Sequence, residues 1–114
     1  KPVGWCSVGP RQDFPRLNRS HQLRPVDDQP VWSIVCYFAA REARGQGLMQ
    51  ALTEAAADYA RSNGARIVEA YPTEPETERS GDNLYMGVAH TLRQEGFVEV
   101  AHRGGPHHVL RRHL

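Results

Sequence analysis

The feature that most constrains this chain is an eight-residue run, Val31-Trp32-Ser33-Ile34-Val35-Cys36-Tyr37-Phe38, that is almost continuously apolar. A strand with one wet face would alternate apolar and polar residues, and this run does not. Its content of β-branched and aromatic residues predicts a strand covered on both faces and central in a sheet. Beyond it the period changes. Leu48, Met49, Leu52, Ala55, Ala56, Tyr59 and Ala60 recur at i, i+3, i+4 spacing, which predicts a helix over 46–61 with one buried stripe. Ser62-Asn63-Gly64 ends that helix, with Gly64 available for a left-handed cap.

The flanking segments add further elements. Residues 3–8 read as a strand. Pro15, Pro25 and Pro30 forbid regular structure after Pro10, so 10–30 is expected to be a long surface loop with one helical turn. Residues 66–71 form another strand, and 72–81 a charged loop. A second helix is predicted over 83–95, capped by Ser80 or Asp82, with Leu84, Val88 and Leu92 inward and Gly96 as its stop. Residues 97–102 alternate as a strand, Gly104-Gly105-Pro106 turns, and 108–112 returns as a hairpin partner. The order is that of an α/β fold: one mixed sheet flanked by helices, in a single domain of 114 residues.

Composition narrows the function classes. The net charge is +1 with acids and bases interspersed, so no nucleic-acid surface is expected. No apolar run of about 18 residues is present, so no membrane span is expected, and no secretory segment opens the chain. Cys6 and Cys36 read as buried free thiols in a cytoplasmic protein. The first residue is Lys1 and Val3 already reads as strand, so the N-terminus is expected to be cut or incomplete.

The chemistry concentrates in the turn Arg41-Glu42-Ala43-Arg44-Gly45-Gln46-Gly47-Leu48-Met49. Two glycines let the backbone approach a ligand and turn its N–H groups inward. The helix start adds unsatisfied donors and a partial positive charge, and Arg44 adds a fixed one. Such a site suits a diphosphate. No P-loop string occurs, and a dinucleotide fingerprint would need a small residue where Gln50 stands. Taken alone, Gly45-Gln46-Gly47 is equally consistent with a plain turn joining strand to helix.

The wider pattern resembles the coenzyme A signature of the GCN5-related N-acetyltransferases (GNAT), with Arg44, Gly47 and Met49 in the three motif positions. Gly64-Ala65 after the long helix and Leu92-Arg93-Gln94-Glu95-Gly96-Phe97 at the end of the second extend the likeness from about residue 3 to 112. The resemblance implies a GNAT-like acyl-CoA N-acyltransferase fold lacking its first strand and helices. It further implies acetyl-CoA as cofactor, held by Phe38, Ala39, Arg44, Gly45, Gln46, Gly47, Leu48 and Met49. The expected activity is N-acetyl transfer by direct attack of a primary amine, on a small molecule or a peptide, with a homodimer possible. Met49 replaces a usually small residue, so its side chain must point away from the pyrophosphate. Leu92 stands where the family often has a tyrosine acid. Proton transfer therefore needs other groups. Glu69, a carboxylate in a strand core, is the candidate base, and Tyr85, in the first turn of the second helix, the candidate acid. The alternative is a non-catalytic acyl-CoA-binding or sensor module of the same fold. A third reading is a fragment that completes its sheet through a partner chain. His102, His107 and His108 lie near one hairpin without zinc-type spacing, so no metal site is expected. Arg111-Arg112 is expected at a solvated edge.

Overall fold

In the computed structural model the apolar run becomes β2, Trp32–Ala39, and three of the other described strands pair with it directly. The structure describes residues 4–39, 47–73, 84–85 and 89–114, with side chains for 6–35, 47–73 and 89–114. Described strands are β1 (Gly4–Pro10), β3 (Ile67–Ala70), β4 (Leu84–Tyr85), β5 (Val98–His102) and β6 (His108–His113). Their order is β1-β2-β3-β6-β5, with β4 also on β2. The β2–β3 pair is parallel and every other pair antiparallel, so the sheet is mixed as expected.

Both edges of β2 are in use. Along one, β1 runs its whole length, from Pro10↔Trp32 to Gly4↔Ala39. On the other, β3 pairs only through Trp32↔Val68, Ser33↔Glu69 and Ile34↔Ala70. Further on, β4 takes that edge over, at Tyr37↔Tyr85 and Phe38↔Leu84. This corrects the expected second helix. Its described part, α3, is Ala89–Gln94, and Leu84 and Tyr85 are strand. Helix propensity is a weak local preference, and the backbone groups of β2 left by β3 supply a stronger, tertiary one.

Each face carries its own core. Ile34, Val68, Ala70 and Leu110 pack against Ala56 and Ala60 of α2 (Leu48–Ser62) and against Leu92 of α3 and Phe97. On the opposite face Val35, Tyr71 and Val109 meet Leu17 and Leu23. Those two residues come from the Pro-rich stretch, which holds a 3₁₀ turn (Arg11–Asp13) and a four-residue helix, α1 (Arg16–Arg19). The stretch is thus a packed layer, and it is why β2 has to be apolar on both sides. Fully buried Ile34 and Leu110 each contribute about 1.5–3 kcal/mol of transfer free energy.

Two glycine pairs stop the helices by one device. Gly64 has φ 89° and Gly96 φ 94°, the left-handed region that a side chain opposes. After α2, Ala65 N–H donates to the Ala60 carbonyl and Gly64 N–H to that of Arg61. After α3, Phe97 N–H donates to Leu92 and Gly96 N–H to Arg93. Both are Schellman closures, and the expected hydrophobic contact accompanies each: Leu92 and Phe97 share one core cluster with Ala60, and Ala65 packs against it. A Cβ at Gly96 would meet Arg112 no closer than 3.8 Å, so space is not the obstacle. Gly96→Ala is therefore expected to lose about 1–2 kcal/mol through backbone strain alone. Urea denaturation of parent and variant checks this, and equal midpoints would contradict it.

Candidate functional site

The described part of the glycine turn ends at Gly47, the N-terminal cap of α2, with φ 77° and ψ 8°. Among the described residues no side chain caps this helix, and no acidic residue stands in its first turn. Its leading N–H groups and the positive end of its dipole therefore remain available to an anion. Gly47 is exposed, and a Cβ there would come no nearer than 4.0 Å to Gln50, so the requirement for glycine is conformational. A cavity of about 350 Å³ opens beside this end, lined by Gly47, Leu48, Met49, Gln50, Thr91 and Gln94. Gln50 Nε2 donates to Gln94 Oε1 at 3.2 Å, linking α2 to α3. Met49 both packs against the core cluster on this face and lines the cavity. Arg44, Gly45 and Gln46 lie outside the described residues.

Phe38 and Ala39 are the last residues of β2, opposite Trp5 and Gly4 of β1. Tyr85 belongs to β4 and pairs with Tyr37, so its backbone lies beside that same strand end rather than in a helix turn. Leu92 is 1% exposed in the core, so the position where the family often carries a tyrosine holds a packing residue here.

Glu69 lies elsewhere. It pairs with Ser33, five positions before Phe38 along β2, about 16 Å away at strand rise. At 1% exposure it sits inside an ion cluster between the sheet and the Pro-rich layer. Arg111 Nε donates to Glu69 Oε2 at 2.7 Å, and Tyr71 Oη donates to Oε1 at 2.6 Å. Arg11 Nη1 donates to Oε1 at 3.3 Å and to Tyr71 Oη at 3.0 Å. Arg111 also forks onto Asp27, at 3.0 and 2.9 Å. Two cations and two anions balance, and among the described residues no buried side-chain polar atom lacks a partner. Burial, followed by the Glu69 charge, pushes the Tyr71 hydroxyl well above its ordinary value, so it stays protonated and donates.

Sequence reasoning missed most of this cluster. Arg111, expected at a solvated edge, is buried at 5%. Arg11, half-buried, also donates to the Leu23 carbonyl at 2.6 Å, and Arg103 to the carbonyls of Gln22, Arg24 and Pro25. The only signal available was that Glu69 shares its strand face with apolar Ile67 and Tyr71, which marks a buried carboxylate without naming its partners. Cys6 is a free thiol, raised from its ordinary pKa by burial.

Asp27 at the rim is held well below the ordinary value of 3.8, first by Arg111 hydrogen bonds and then by Gln29. A depressed folded-state pKa stabilises fully above the unfolded value and is lost as pH falls from there toward the folded one. Stability is therefore expected to decline as pH drops below 3.8, and Asp27→Asn to make that decline shallower. Urea midpoints between neutral and strongly acid pH check it.

Residues 1–100 match the family described as Acetyltransferase (GNAT) family. A chain of the NatC complex, solved bound to Gag peptide and CoA, superposes with a TM-score of 0.58 at 14% identity. The alignment covers 90% of this chain and 74% of that one, and at such identity it is a likeness of fold. No curated protein sequence matches. The family match takes in the covered central strand, the left-handed Gly47 and both Schellman-stopped helices, and the chain belongs to the GNAT acetyltransferase family.

Proposed function

We propose that this protein is an N-acetyltransferase that passes the acetyl group of acetyl-CoA to a primary amine of a small molecule or peptide. The observation that carries the reading is the acid-free start of α2 behind left-handed Gly47, which no described side chain caps and which faces an open cavity. A diphosphate anion fits that donor set. Backbone groups of Gly47, Leu48 and Met49 would hold it, with Arg44, Gly45 and Gln46 completing the turn and Phe38 and Ala39 beside the acyl end. Bound coenzyme supplies an acetyl thioester. The NatC relative is bound to a peptide and CoA, which supports a peptide amine among the acceptors. The free Cys6 thiol accords with a cytoplasmic setting.

The two side chains expected to move protons are unequally supported. Tyr85 belongs to β4, whose backbone pairs beside Phe38, so we assign it the acid that protonates the departing thiolate. Glu69 has both carboxylate oxygens engaged by Arg11, Arg111 and Tyr71. We assign it to the framework, which leaves the amine's proton to a group outside the cluster. A second reading, a non-catalytic acyl-CoA-binding module, is favoured by one observation: core-buried Leu92 where the family often has its acid. Release of free thiol with a panel of amines separates the two.

Acetyl-CoA at 100 times Kd should stabilise the fold by about 2.7 kcal/mol, several degrees in Tm. Desulfo-CoA should act similarly, and AMP and NAD should not. No shift with either coenzyme would overturn the cofactor and everything built on it.

Replacement of the two candidate residues gives opposite signatures. Tyr85→Phe should lower kcat about 10²-fold with little change in KM for acetyl-CoA. Breaking a buried ion pair typically destabilises by about 3–5 kcal/mol, so Glu69→Gln should lower stability toward that range without altering the pH profile of kcat. A shifted profile with unchanged stability would return the base role to Glu69.

A further inference from the structure

A group of side chains far from the Gly47 cavity has its own chemistry. His102 and His108 are direct cross-strand partners near the β5–β6 turn, and their rings stack at 3.9 Å and 21°. Cross-strand partners point to one face, with Cβ atoms about 5 Å apart. Glu99 should not join them, because positions three apart on a regular strand face opposite ways. A bulge prevents that. Glu99 pairs with Leu110, Ala101 with Val109 and His102 with His108, so the register shift at Val100 turns Glu99 to the histidine face. One carboxylate oxygen and one nitrogen from each ring then lie within 4.8 Å of one another.

We propose that Glu99, His102 and His108 form a site for a borderline divalent transition ion such as zinc. Two imidazoles and a carboxylate are donors of that class. Ligands of a tetrahedral ion stand about 3.4 Å apart, so small side-chain rotations close the set. The hydrogen bonds around it are those a metal site requires. His102 Nε2 lies 2.9 Å from the Gly105 carbonyl, which can only accept, so Nε2 carries the proton and Nδ1 is left as the ligand atom. His108 Nδ1 lies 2.6 Å from Glu99 Oε1, and an ion between them replaces the proton they share. Arg93 Nη2 donates to the same carboxylate at 3.1 Å and orients it. His108 is 12% exposed while Glu99 is 37% exposed, so the site is anchored inside and open to ions outside. A bound ion would pin β5, the edge strand that exposes Val98 and Val100, to β6.

The test uses the whole chain and is independent of acetyl transfer. Zn²⁺ added to EDTA-treated protein should bind at one equivalent by calorimetry and raise the melting temperature. His102→Ala and Glu99→Gln change exposed residues, so both should melt with the parent in EDTA. Each should lose at least tenfold in Zn²⁺ affinity and most of the thermal gain. His90→Ala, at an exposed position of α3, should keep both. No binding by the parent, or equal gains in parent, His102→Ala and Glu99→Gln, overturns the proposal.

Discussion

Everything in this fold depends on β2 being used on every side. Its two faces carry the two cores, one edge is taken by β1, and the other is divided between β3 and β4. A strand in that position has no solvent face on which to place polar groups, and the chain supplies a nearly unbroken apolar run. Its one polar residue with a described side chain, Ser33, is fully buried and bonded to the Tyr71 hydroxyl at 2.7 Å. The division of its second edge also places the proposed acyl end. Where β3 leaves β2, the end of the strand pairs with β4.

The two layers differ in how they are held. The helical layer is apolar and close-packed, with alanines of α2 letting the helix approach the sheet. The Pro-rich layer has little regular structure and few apolar residues, so its backbone groups need other partners. Three arginines provide them. Arg11 and Arg103 donate to carbonyls of the layer, while Arg111 joins it through Asp27 to the sheet at Glu69. Guanidinium groups suit this work because their several donors lie in one plane and serve carbonyl and carboxylate acceptors together. The cluster thus locks an irregular segment to a regular one.

Much of this was legible along the chain, because it follows from local periodicity. The apolar run, the helical stripe of α2 and the glycine stops at Gly64 and Gly96 each have a physical cause confined to a few neighbouring residues. So does left-handed Gly47 at the start of α2. Other features were not legible, because their causes lie in pairings distant in sequence. Tyr85 is strand because β2 has an edge to fill, and Arg111 is buried because Glu69 and Asp27 meet it there. Glu99 faces two histidines because of a one-residue bulge that no composition reveals.

By itself, then, the sequence determined a mixed α/β chain with a central two-sided strand and a glycine turn at the start of a long helix. Both rest on backbone conformation and hydrophobic spacing, which act over short distances. Tertiary structure decided the partners of the charged residues. A carboxylate in a strand core reads the same on paper whether it moves protons or anchors a layer. The arrival of Arg11, Tyr71 and Arg111 around Glu69 is what supports the second reading, because the chemistry of a buried charge is set by what surrounds it in space.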